Sequence, residues 1–197
     1  CKNEFDHYRA KAEPHPMFIE HGIDAVPFAH EKMDEWRNNF KGIRYINEEA
    51  GYNFGGAVDD IWEKPNGDLI VIDVKSTSKN VFDWEDTYSK WEYAKGYRRQ
   101  LEMYQWLLEK NGFNVASEGY LVYYNGKKHE PMFNQQLTFD LHLVKLECDN
   151  SWVEEAVLSA KATLDGDMPK PSKSCDNCNY LRKRWEVSQK DPNKLVE

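Results

Sequence analysis

Along the chain, apolar and polar positions change rhythm several times. Phe28, Met33, Trp36 and Phe40 recur at helical steps and predict a helix over 29–40, with an earlier helix over 3–13. Pro14, Pro16, Gly22 and Pro27 mark a loop-rich connection between them. From Ile43 to Lys75 short segments rich in Ile, Val, Tyr and Phe alternate with Gly51-Tyr52-Asn53 and Pro65-Asn66-Gly67, which predicts a strand meander. Residues 81–96 are aromatic and charged without a clean period. They lead into a helix over Tyr97–Asn111, closed by Gly112. Strands are expected at Glu118–Tyr124 and around Gln136–Glu147. A helix over Ser151–Leu164 opens on the capping-type sequence Ser151-Trp152-Val153-Glu154. No internal repeat or low-complexity segment interrupts this order. Helix, strands, helix, strand predicts an α/β fold with a small mixed sheet flanked by helices.

Length and composition change little in this picture. The 197 residues suffice for one domain, 1–197, ending in a Cys-containing tail at 169–197. The content, 40% hydrophobic and 30% charged, is that of a folded chain. The aliphatic run Leu69–Ile72 is far short of the roughly 20 apolar residues that cross a bilayer. No membrane association and a cytoplasmic location are therefore expected. The chain opens on Cys1-Lys2-Asn3-Glu4-Phe5, without Met and in what reads as the middle of a helix, as a piece lacking an N-terminal segment would. A net charge of −8 argues against coating nucleic acid by bulk attraction. It does not argue against a carboxylate site for cations. Basic residues still gather at Arg98-Arg99, Lys127-Lys128 and Arg182-Lys183-Arg184, each most simply a solvated cluster.

The unusual chemistry lies in one hairpin. Leu69-Ile70-Val71-Ile72 runs into Asp73-Val74-Lys75, and charges at the end of an aliphatic strand are disfavoured unless they are paired. Strand alternation puts Asp73 and Lys75 on one face and Val74 on the other. If Pro65-Asn66-Gly67 forms a three-residue loop, Lys64 faces Asp68 and Asp59 faces Asp73. A two-residue Asn66-Gly67 loop would bring Asp60 opposite Asp73 instead; the proline favours Asp59. Two carboxylates on one face repel unless a cation lies between them, and an oxygen set of this kind suits Mg²⁺ or Mn²⁺. A metal beside a lysine supplies what phosphodiester hydrolysis requires. The plain alternative is an exposed hairpin with surface acids and an Asp/Lys pair.

On the later helix, Gln100 and Tyr104 lie one turn apart, and Tyr97, Leu101, Tyr104 and Leu108 form the apolar stripe. Gly56-x-x-Asp59, Ile72-Asp73-x-Lys75 and Gln100-x-x-x-Tyr104, in this order, resemble the RecB-type branch of the PD-(D/E)XK nucleases, which includes CRISPR-associated exonucleases. The resemblance implies a restriction-endonuclease-like core and a metal-dependent, exonuclease-like deoxyribonuclease acting on single strands or duplex ends. Protein partners would come from repair, recombination or phage defence. It further implies that Asp59 and Asp73 hold the metal with the Val74 carbonyl, that Lys75 is catalytic, and that Gln100 and Tyr104 assist. RecB-type nucleases usually add a His or an acid from the first helix; Glu4 and His7 are the candidates here, then His30.

Cys175-x-x-Cys178 has metal-ligand spacing but is half of a tetrahedral site. Relatives in this branch hold an iron–sulfur cluster with cysteines from both ends of the domain, so an absent N-terminal segment would have to complete such a cluster, or a Zn²⁺ site. The alternative is two reduced thiols in a flexible tail. Trp84, Tyr88, Trp91, Tyr93 and Tyr97 lie among Lys90, Lys95, Arg98 and Arg99, a mixture able to stack unpaired bases or simply to pack a core. A competing function is a catalytically silent nuclease fold that binds nucleic acid or protein; the intact Asp59, Asp73 and Lys75 favour the enzyme.

Overall fold

The computed structural model describes residues 2–128, 132 and 135–190. Two compact units divide the chain, Cys1–Val157 and Leu158–Glu197. The first begins with α1 (Lys2–Arg9), α2 (Pro16–Glu20), β1 (Val26–Pro27) and α3 (Met33–Trp36). A hairpin of β2 (Ile43–Asn47) and β3 (Tyr52–Gly56) follows, then β4 (Asp60–Glu63) and β5 (Leu69–Thr77). Helices α4 (Trp84–Lys90) and α5 (Glu92–Lys110) lead to β6 (Val115–Gly126) and β7 (Phe139–Glu147). Helix α6 (Val153–Asp165) runs across the boundary between the units, and α7 (Asp176–Lys190) belongs to the second.

The main sheet has five strands in the order β1-β4-β5-β6-β7, and the β2–β3 hairpin stands apart as a two-stranded sheet. All pairings in the main sheet are antiparallel except β5 with β6. Parallel neighbours need a long crossover, which α4 and α5 supply. The fold is thus the mixed α/β sheet flanked by helices that the sequence predicts.

Strand β5 is the axis of the molecule, buried from Leu69 to Asp73 and emerging from Val74 onward. Its odd positions Leu69 and Val71, with Leu121 of β6, pack under Leu101, Leu107 and Leu108 of α5. Its even positions Ile70 and Ile72, with Trp62 and Val122, pack under Phe5 of α1 and Phe18 of α2. Each such side chain, fully buried, contributes roughly 1.5–3 kcal/mol, which is why this run of β-branched and aliphatic residues can only be a central strand covered on both sides.

Several elements depart from the sequence expectation. The predicted helix over 29–40 is reduced to Met33–Trp36. Its apolar residues Met33 and Trp36 are indeed core, but the Asn38 side chain accepts from the Phe40 N–H (2.9 Å) and ends the helix, leaving Phe40 92% exposed. The predicted 3–13 helix stops at Arg9. The loop-rich connection contains α2, with Pro16 at its start and the His15 side chain capping the Met17 N–H. The unassigned 81–96 region is helical: the Asp83 carboxylate caps the Asp86 N–H to start α4, and α5 begins at Glu92 rather than Tyr97. Cys178 lies in the first turn of the 15-residue helix α7, with Cys175 immediately before its start. Among the described residues no helix is long and apolar enough to cross a membrane.

Candidate active site

The β4–β5 hairpin sets the register of the site. Lys64 N–H donates to Asp68 O (3.0 Å) and Gly67 N–H to Lys64 O (2.9 Å), so Pro65-Asn66-Gly67 is the three-residue loop, with Gly67 in the left-handed conformation (φ +86°) that its lack of Cβ permits. Asp60 lies opposite Ile72. Continuing the ladder by one residue brings Asp59 opposite Asp73. The Asp59 carboxylate accepts the Val74 N–H at 2.9 Å, which ties it to the point where β5 leaves the core.

Asp60, its neighbour, does something else. Only 1% exposed, it pairs with Arg9 of α1 and accepts the Ile61 N–H. Arg9 also donates to Phe28 O (2.7 Å) and pairs with Asp6, which in turn holds Arg37 (2.9 Å). Burial pushes the Asp60 carboxyl up, against Arg9 and Arg37, which draw it down. Asp60 is therefore a structural charge that fastens α1 to the sheet.

Asp73 and Lys75 share the α5-facing side of β5. Asp73 is 2% exposed and Lys75 Nζ lies 2.5 Å from its Oδ2. The same ammonium donates to Gln100 Oε1 (3.1 Å) and sits 4.3 Å above the Tyr97 ring. Gln100 Nε2 donates to the Tyr104 hydroxyl at 2.8 Å. Gln100 and Tyr104 thus reach the hairpin through Lys75, because one face of α5 carries Tyr97, Gln100 and Tyr104 at helical spacing. Burial, with smaller contributions from Asp73 and Asp59, raises the Tyr104 phenol above its ordinary value despite the Gln100 hydrogen bond, so it stays protonated around neutral pH. Burial does the same to Tyr123, helped by Tyr97, Tyr93 and Asp73.

Gly56 explains why the β2–β3 hairpin belongs to the site. A Cβ there would lie 2.5 Å from Tyr104 Cε1, so only glycine lets the ring close over the strand. Tyr45 and Phe54 hold the hairpin to α5 by edge-on contacts with Trp106 (5.4 and 5.8 Å).

The first-helix candidates are not gathered here. Glu4 lies 3.2 Å from His15 Nε2 and acts on Tyr124, which packs with the Ile72 side of the sheet. His7 is exposed, and His30 is stacked on Trp36 (4.3 Å). Among the described residues no three His, Cys, Asp or Glu side chains form a group able to hold a metal. Asp59 and Asp73 nevertheless form an oxygen donor set of the hard-cation type, and Mg²⁺ commonly takes one or two carboxylates and fills the rest of its shell with water and phosphate. The pair fits a hard divalent cation on that chemistry.

The cations between Trp84 and Arg99 are engaged locally. Lys90 pairs with Asp86, Lys95 and Arg99 with Glu92, and Arg98 with Glu102 (2.9 Å). Glu102, 4% exposed and not singled out by the sequence, also accepts from Trp152 Nε1 (2.8 Å) and Asp149 N–H, so it fastens the β7–α6 turn to α5. In the second unit, Cys178 N–H donates to Cys175 Sγ (3.3 Å); such backbone donation lowers the Cys175 thiol, whereas the Cys175 sulfur raises that of Cys178. The two supply half of a tetrahedral set, and no described residue completes it.

Comparison with known proteins adds one decisive match. Residues 2–182 fit the family model described as the PD-(D/E)XK nuclease superfamily. No curated protein matches the chain. A solved structure titled "Crystal structure of SSO0001" is 19% identical over 64% of this chain, with a TM-score of 0.34. The match spans 48% of that protein's length.

Proposed function

Since the chain belongs to the PD-(D/E)XK nuclease superfamily, we propose that it is a Mg²⁺- or Mn²⁺-dependent deoxyribonuclease of the RecB-type branch, acting in the exonuclease manner on single strands or duplex ends. The observation that carries this reading is the position of Lys75, whose ammonium is held at once by Asp73, Gln100 and the Tyr97 ring. A lysine needed only to neutralise Asp73 would not require a helix shaped to hold its other side.

In this reading Asp59 and Asp73, with the Val74 carbonyl, hold the cation, which would polarise the phosphoryl oxygens and lower the pKa of a bound water. Lys75 orients the attacking water and neutralises charge growing on the phosphate. The water oxygen bonds to phosphorus as its proton passes to solvent, the bond to the leaving oxygen breaks, and that oxygen takes up a proton from solvent. Gln100 fixes the Lys75 head, and Tyr104 fixes Gln100. Cys175 and Cys178 would offer two thiolates to an iron–sulfur cluster or Zn²⁺ whose other ligands lie outside the described residues. Work in the cytoplasm beside proteins of repair, recombination or phage defence agrees with this activity.

The test is direct. End-labelled single-stranded and duplex DNA are incubated with the protein in Mn²⁺, Mg²⁺ or EDTA, beside Lys75→Ala and Asp73→Ala. Metal-dependent cleavage lost in both variants is expected. Cleavage that survives both removes the site assignment, and DNA binding without cleavage by the wild type favours a silent binding module.

A further inference from the structure

Past Lys75 the same strand enters a second, aromatic site. Thr77 lies on the Asp73/Lys75 face, about 7 Å beyond Lys75 at ~3.3 Å per residue. It borders a cavity of about 230 Å³ whose walls include Phe82, Trp84, Tyr93, Tyr97 and Tyr123. Tyr97 is common to both places: its ring carries the Lys75 ammonium and lines the cavity. From there the rings continue outward, Tyr93 lying 5.6 Å from Tyr97 and Trp91 lying 6.1 Å from Tyr93, with Tyr93 46% and Trp91 55% exposed.

We propose that this cavity receives one unpaired nucleobase, so that the site acts on single-stranded nucleic acid with a base held beside the scissile phosphate. The proposal rests on the nuclease reading above and names the form of its substrate. The volume is below that of sites for drug-sized molecules, so one heterocycle enters and a base pair does not. Aromatic faces bind any base by stacking, whatever its hydrogen-bonding edge, which suits an enzyme working along a strand. The walls are already set. The Asn125 side chain, 6% exposed, accepts the Lys79 N–H (2.8 Å) and donates to the Lys79 carbonyl (3.0 Å). Lys79 Nζ meets Thr87 Oγ1 at 2.5 Å, and Thr87 donates to Asp83 O. A cavity fixed this way spends little of its binding energy on ordering itself. Lys90, Lys95 and Arg98 are engaged by Asp86, Glu92 and Glu102, and the one cation on the cavity wall, Lys79, is turned to the Thr87 hydroxyl, so the rings carry more of the grip than backbone charge does.

An oligothymidylate carrying one 2-aminopurine, moved one position at a time, reads the pocket in EDTA, where nothing is cut. One position of strong fluorescence quenching is expected with the wild type, lost in Tyr93→Ala and in Thr77→Phe, which fills the cavity without removing a ring. In Mn²⁺ the same variants should cleave single strands roughly 5- to 150-fold more slowly, the range expected for loss of one stacked base. Equal fluorescence at every position, with cleavage intact in both variants, overturns the pocket and leaves the nuclease. Quenching that follows Tyr93 and Thr77 in a protein that never cuts keeps the pocket and removes the nuclease.

Discussion

Two aspartate–cation pairs lie one residue apart across the same hairpin, on opposite faces of the sheet. Asp60 and Arg9 face α1, and Asp73 and Lys75 face α5. Both carboxylates are almost fully buried. The difference is in what surrounds the cation. Arg9 is saturated by Asp60, Asp6 and the Phe28 carbonyl, and its fork matches carboxylates that do not move. Lys75 is a compact ammonium on a flexible stem, held by one carboxylate, one neutral amide oxygen and a ring, at the point where β5 reaches the surface. The first pair gives up its mobility to join two elements. In the proposed reading, the second keeps a cation able to exchange partners when phosphate or metal arrives.

This contrast can be broken in a graded way. Lys75→Met should lower metal-dependent cleavage by about 10²-fold or more, as loss of a preorganised charge in a site does, with little change in the melting temperature seen by scanning fluorimetry. Asp60→Ala should act in reverse, lowering stability by about 3–5 kcal/mol in urea unfolding because Arg9 is left buried beside an empty position. Restoring most of that loss with Arg9→Met and Asp60→Leu together would establish the pair as an anchor. Gly56→Ala should cost about 1–3 kcal/mol, since the new Cβ meets the Tyr104 ring, and should slow cleavage as well. The smallest effect is expected for Gln100→Leu, about tenfold in cleavage rate, corresponding to one hydrogen bond near a charge. If Gln100→Leu proved as severe as Lys75→Met, the amide would have to act on substrate directly and not through the ammonium.

The parts of the molecule that local chemistry controls were the parts legible from sequence. Pro65-Asn66-Gly67 dictates its own loop, and the loop dictates that Asp59 faces Asp73, so the hairpin register follows from five or six residues. The α5 stripe was equally plain, because Leu101, Tyr104 and Leu108 are all core positions. Its first turn was hidden by Gly96 and by the exposed Trp91 and Tyr93, which blur the period. Helix α7 was hidden because Tyr180, Leu181, Trp185 and Val187 are exposed, leaving no buried face to impose a rhythm. Asp60–Arg9 and the Glu102 hub join residues about fifty positions apart, and no spacing along the chain announces such partners. Gly56 stands in the sequence as part of a motif, but the reason for it is a ring on another element.

The parallel pairing of β5 with β6 has a consequence for the order in which the site comes into being. Asp59, Asp73 and Lys75 belong to one hairpin whose contacts are local in sequence, whereas Gln100 and Tyr104 take their places only after α5 has been made and β6 has laid down beside β5. Contacts of that separation form late. A partly synthesised chain therefore holds its acids without the helix that steadies the lysine, and the ability to damage nucleic acid would be withheld until the domain is whole.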